Sequence, residues 1–145
     1  MKKLFAFVLI FLMGSASIAT AAQGWLTDFE EAKTQAAARR VPILIDFSGS
    51  DWCGWCIKLD QEVFSKPEFE AYAKDNLVLF LADFPSSKPQ SAEVKAQNKN
   101  LSNRYGVQGY PTVLLLDASG EVVGKTGYQA GGPDAYVEHL KSLLK

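Results

Sequence analysis

The chain has only two cysteines and one histidine in 145 residues. Two cysteines exclude a scaffold stapled by many disulfides. One histidine excludes a histidine-rich metal centre. A basic excess is also missing: 15 Lys and Arg stand against 16 Asp and Glu. That balance offers no grip on a phosphate backbone, so no nucleic-acid partner is expected. Past residue 22 no apolar run is long enough to span a bilayer. What is present is ordinary for one globular domain, with 48% hydrophobic and 21% charged residues.

The first 22 residues read as an address. Met1-Lys2-Lys3 is a short positive start, Leu4 to Met13 is wholly apolar, and Gly14 to Ala22 is small and mostly uncharged. That is the pattern of a secretory signal peptide. Leu4 to Met13 rises only about 15 Å as a helix, about half of a hydrocarbon core. The small residues up to Ala22 lengthen the run, so an uncleaved anchor is the competing reading. Ala19-Thr20-Ala21 fits the small-x-small rule, with cleavage before Ala22 or one residue later. Residues 1–21 are therefore read as a signal peptide and 22–145 as one domain. The expected product is exported, periplasmic or secreted, and does not span the membrane.

Local patterns alternate between strand and helix. Thr27-Asp28-Phe29-Glu30 reads as a capping box for a helix running to Arg40. Ile43 to Phe47 is apolar apart from Asp46 and reads as a buried strand. Ser48 to Asp51 is a turn, and a helix follows from near Cys53 to about Phe64. Pro67 opens a second short helix. Leu77 to Ala82 is another buried strand, Phe84 to Gln90 a loop, and Ser91 to Tyr105 a polar helix. Thr112 to Leu116 and Val122 to Lys125 flank a turn and should form an antiparallel hairpin. Gly131-Gly132-Pro133-Asp134 opens a last helix ending at Leu144. The first strand is weak, with only Gly24 to Leu26 available. The fold class is α/β: a central mixed sheet flanked by helices, closing with a β-hairpin and a helix.

Both cysteines fall in Cys53-Gly54-Trp55-Cys56, after a buried strand and at a helix start. Three readings compete. A structural staple across so short a loop removes little unfolded-state entropy, about 2 kcal/mol. A metal site needs two more ligands, and His139 is a poor third. In redox exchange, the helix terminus favours the thiolate of the first cysteine, and the second resolves a mixed disulfide.

Asp46-Phe47 with Trp52-Cys53-Gly54-Trp55-Cys56 resembles the active-site segment of thioredoxins. Tyr105-Gly106-Val107-Gln108-Gly109-Tyr110-Pro111-Thr112 is similar to the segment holding that family's cis-proline, and Gly127 falls at its glycine before the last helix. The likeness covers most of residues 25–144. Ser48 to Trp55 and Asp83-Phe84-Pro85 are most similar to secreted bacterial thioredoxin-like proteins of the disulfide-isomerase or interchange type. The resemblance implies a thioredoxin fold. It makes Cys53 the nucleophile, Cys56 the resolving thiol and Asp46 the buried carboxylate handling the Cys56 proton. It makes Pro111 a cis residue facing the disulfide, and Tyr110 a backbone partner for an extended substrate. Trp52 becomes the flanking surface and Trp55 a contact residue.

Departures from the pattern are also visible. The loop from Asp46 to Cys53 is one residue longer than in ordinary thioredoxin, and the dipeptide is Gly-Trp. Leu77 to Ala82 carries no lysine where thioredoxin places one near its aspartate. Tyr110 replaces the usual small or aliphatic residue.

The implied activity is thiol–disulfide exchange, reducing or isomerising disulfides of exported client proteins. A disulfide-forming oxidant and a non-catalytic client-binding module are the alternatives. No prosthetic group or metal is expected. An electron donor or acceptor protein, membrane-bound or periplasmic, is. No dimerisation segment is visible, so a monomer is expected.

Overall fold

The computed structural model describes residues 24–145. The signal-peptide reading of residues 1–21, and its cleavage site, lie outside the described residues. Five strands form one sheet in the order β1-β3-β2-β4-β5. Strand β1 is Trp25–Leu26, β2 is Ile43–Ser48, β3 is Val78–Asp83, β4 is Thr112–Leu116 and β5 is Val122–Thr126. Strands β1 and β2 run parallel to β3, while β4 is antiparallel to both β2 and β5. The β4–β5 pair is the expected hairpin, with a register shift at Leu115/Leu116. The sheet is mixed and helices cover both faces.

The five helices are α1 (Phe29–Arg39), α2 (Gly54–Leu59), α3 (Pro67–Asn76), α4 (Ala92–Arg104) and α5 (Gly132–Leu143). Several details differ from the sequence reading. Asp28, not Thr27, caps α1, its side chain accepting the Glu31 amide at 3.0 Å. Both residues are good caps, and the tertiary entry angle decides between them. Leu77 closes α3, its amide bonded to Ala73 O, so β3 starts one residue later. The helix through Phe64 is unbroken, but Asp60–Phe64 is π-helical, with the Ser65 amide bonded five residues back to Asp60 O. Apolar spacing cannot distinguish one wide turn from an α-turn.

Side-chain alternation along the strands divides the core in two. Ile43, Ile45 and Phe47 join Phe80, Leu114 and Leu116 against α1 and Leu101 of α4. The opposite face carries Leu44, Leu79, Val113 and Leu115 against Leu59, Phe64, Phe69, Tyr136 and Leu140. A period of two puts Asp46 and Ser48 on the same face as Leu44. The buried carboxylate therefore points at α2 and α5.

Tyr136 joins this second core to the loop before α5. Its ring is buried and its hydroxyl donates to Gly127 O at 3.0 Å. Gly127 in turn lies so close to the Pro111 carbonyl that an added Cβ would sit 3.2 Å from it. Tyr136→Phe should cost about 1 kcal/mol by losing one hydrogen bond, whereas Tyr136→Ala should cost about 3–5 kcal/mol by opening a cavity. Urea denaturation midpoints at constant slope measure both.

Candidate active site

The site begins where β2 runs out. Gly49 accepts the amides of Trp52 at 3.2 Å and Cys53 at 2.8 Å, which folds the turn back on itself. A side chain at Gly49 would overlap the Trp52 indole, so the turn needs a glycine there. Cys53 then caps α2 in an extended conformation, and its sulfur accepts the Cys56 amide at 3.2 Å. Cys53 and Cys56 are joined as a disulfide with Cα atoms 5.2 Å apart. Cys53 is 7% exposed and Cys56 3%. The rim of aromatic rings shades even the outer sulfur.

Two aromatic walls flank the pair. On one side Trp52, about half exposed, donates its indole N–H to Phe84 O at 2.8 Å and meets Tyr110 edge-on at 5.8 Å. Phe84 packs on the other side of Tyr110 at 5.3 Å. The Tyr110–Pro111 peptide bond is cis. On the opposite side Trp55, also over half exposed, packs on Tyr128 at 5.0 Å. Lys58 lies over both rings, about 5 Å from each centroid, and Tyr128 donates to Glu62 at 2.6 Å. Lys58 is thus committed to this wall rather than to Cys53.

Beneath the pair lies Asp46, 5% exposed, with its Oδ1 lacking any hydrogen-bond partner. Burial pushes its carboxyl up to about 8, and the Asp60 and Asp83 carboxylates push the same way. Burial also raises Asp60, with Lys88 pulling against it. A cavity of about 350 Å³ is lined by Asp46, Ser48, Ser50, Cys56, Asp60 and Lys88 among others. That volume has room for several waters.

The loop after β3 closes the far side. Asp51 accepts the amides of Ser86 at 2.8 Å, Ser87 at 2.7 Å and Lys88 at 3.1 Å, and the Ser87 hydroxyl at 2.9 Å. These four donors hold its carboxyl well below the usual range. Ser50 donates through its amide and hydroxyl to Asp83, and Lys88 Nζ donates to Ser50 Oγ at 3.1 Å.

All seven residues singled out from the sequence, Asp46, Trp52, Cys53, Trp55, Cys56, Tyr110 and Pro111, lie in or around this one site. His139 is elsewhere, paired with Thr126 on β5. Among the described residues no three His, Cys, Asp or Glu side chains form a group suited to a metal ion. Sequence reasoning missed Asp60, Lys88 and Tyr128, and gave Asp83 and Phe84 no role beyond the resemblance of their segment. Asp60 was within reach, since it lies one helical turn beyond Cys56. Lys88 was not, because contacts across more than 30 residues, those of Asp51 foremost, bring its loop here.

Residues 24–118 match the family model described as thioredoxin-like. The chain belongs to the thioredoxin-like family. Its CXXC disulfide and the interchange proteins among its relatives make it a thiol–disulfide oxidoreductase. The disulfide bond reductase DsbH of Chlamydia pneumoniae is 35% identical over 134 residues, covering 92% of this chain and 80% of that protein. The solved structure of a DsbH oxidoreductase matches with a TM-score of 0.80 and 34% identity over 94% of each chain. The thiol:disulfide interchange protein DsbD of Photorhabdus laumondii is 30% identical over 120 residues; the match covers 81% of this chain but 19% of that protein.

The buried carboxyl has a consequence for stability. A folded-state value near 8 against an ordinary 3.8 means the native protein holds a proton that the unfolded chain releases. Stability should therefore be greatest at acid pH as far as this group is concerned, and fall as pH rises between those two values. Asp46→Asn should remove that decline and stabilise the fold at pH 8 by a few kcal/mol, on the order of what burying a charge costs. Denaturant titrations of both proteins at pH 5 and pH 8, roughly within and at the top of that window, measure the difference.

Proposed function

We propose that the protein reduces or isomerises disulfides in exported proteins, with Cys53 as nucleophile, Cys56 as resolving thiol and Asp46 as proton acceptor. The observation that carries this reading is the unpartnered Asp46 carboxylate buried beneath the Cys53–Cys56 pair and opening onto the same cavity as Cys56. A carboxyl raised to about 8 is matched to accepting a thiol proton near neutral pH. The Cys53 thiolate attacks one sulfur of a client disulfide, and the other client sulfur leaves as a thiolate. The Cys56 proton passes to Asp46. The Cys56 thiolate then attacks Cys53 Sγ, expels the second client thiolate and leaves the Cys53–Cys56 disulfide. Two electrons have moved to the client, and a dithiol donor protein, membrane-bound or periplasmic, must restore them.

Export is supported by the signal-like residues 1–21 and by the type of relatives found. No helix among the described residues is long and apolar enough to cross a membrane. Trp52, Trp55, Tyr110 and Pro111 form the client-facing rim in this proposal, with the Tyr110 backbone meeting an extended segment. The exposed indoles supply apolar contact that is not tied to one sequence. A monomer suffices, because one chain carries every group the mechanism uses.

Two measurements test the reading. Cys56→Ser should accumulate mixed disulfides with clients in the native compartment, and Cys53→Ser should not. Equal trapping by both variants would reverse or void the assignment.

The second measurement is the reduction potential. The Cys56 amide is the one donor to Cys53 Sγ among the described residues, and Lys58 lies over the Trp55 and Tyr128 rings instead. The reduced form is therefore only modestly favoured. A potential between about -270 and -180 mV is expected, the range from thioredoxin to protein disulfide isomerase. Equilibration with glutathione, read by thiol alkylation, gives the value. A result above about -150 mV would instead indicate a disulfide-forming oxidant.

A further inference from the structure

The cavity beside Asp46 is walled by carboxylates, yet one cation reaches it. Asp46 is faced by Cys56 from α2, Asp60 from the π-helical turn, Asp83 from β3 and Tyr136 from α5. Lys88 is the single cationic residue lining that cavity among those described. It comes from the exposed loop after β3, which has no regular structure to hold it. Asp51 takes that role. Its two carboxylate oxygens accept three consecutive amides, the last being that of Lys88 itself. Lys88 Nζ then donates to Ser50 Oγ, which donates in turn to Asp83.

We infer that Lys88 is a positioning residue for the proton step at Cys56, delivered to the cavity mouth by the Asp51 clamp, where it offsets the carboxylates around Asp46. The inference rests on the proposed role of Asp46 as acceptor of the Cys56 proton. In that step the S–H bond of Cys56 breaks, an O–H bond forms on Asp46, and the thiolate displaces the client sulfur from Cys53. Asp46 afterwards releases the proton to water in the cavity. Its readiness for the next cycle depends on how costly its charged form is. Asp60 and Asp83 make that form costlier, and a cation at the mouth makes it less so. Removing the cation raises the pH at which Asp46 becomes a base. The clamp also links two parts of the site, because Asp51 belongs to the turn that carries Cys53. A lysine merely solvated at the loop surface would have no such effect.

The experiment follows release of the second client thiol in single-turnover reduction of a disulfide peptide, by rapid quench between about pH 5 and 9, spanning a raised carboxylate and a thiol. Wild type should show a release midpoint set by Asp46. Lys88→Met should move that midpoint up by about 0.5 pH unit, about threefold slower release at pH 7, and Lys88→Arg should restore it. Asp51→Ala separates the clamp from bulk charge. Loss of a negative charge alone would lower the midpoint, whereas loss of the clamp raises it. A Lys88→Met profile that superimposes on wild type overturns the inference, and a downward shift in Asp51→Ala overturns the clamp. Asp46→Asn keeps the two levels apart. If it abolishes the midpoint while Lys88→Met changes nothing, only the Lys88 inference fails. If Asp46→Asn keeps the wild-type midpoint, the proton-acceptor reading fails and takes this one with it.

Discussion

A carboxylate held in the middle of a sheet is the constraint around which this protein is arranged. Strand β2 is hydrogen-bonded to β3 on one side and β4 on the other, and Asp46 pairs with Leu81 and Val113. With both backbone edges bonded, the strand cannot rotate its side chains toward solvent. Alternation places Asp46 under α2, where Cys56 is. The energetic cost of burying that group is the same quantity that raises its proton affinity. In the proposed mechanism stability and reactivity are therefore coupled through one residue, and a change that relieves one alters the other.

Around this centre the surface is built asymmetrically. The Trp52–Tyr110–Phe84 wall is anchored by an indole hydrogen bond to the loop backbone and by ring packing. The Trp55–Tyr128 wall is tied by a cation over two rings and by a phenol–carboxylate hydrogen bond. Each wall keeps large apolar area in water, which a lone monomer surface seldom does without a use for it. Both are fixed from behind, so little side-chain entropy would remain to be lost if a client docked there as proposed.

Most of the fold was legible because β2, β3 and β4 are short apolar runs bounded by turn residues, and because Pro67, Ser91 and Gly131 mark helix starts. The redox pair was legible because both cysteines of the chain share one motif. What escaped was non-local. Asp51 meets its loop partners across 35 to 37 residues, and nothing near it in the chain announces that contact. The π-helical turn escaped because Val63 and Phe64 face the core in either helix type. Asp28 displaced Thr27 as cap because two competent caps stood side by side. The burial of Cys53 was not legible either, because the aromatic walls around it come from four separate segments.

A protein that receives extended, partly unfolded chains runs the hazard of templating them along its own unpaired strands. Here β1 presents only Trp25 and Leu26 on its outer side. At the other end β5 is irregular in register, interrupted by Gly124 and charged at Lys125. Val122 and Val123 are exposed there, but they form too short a row to seed a growing ladder. Neither flank of the sheet therefore offers a long unpaired strand as a nucleus for aggregation.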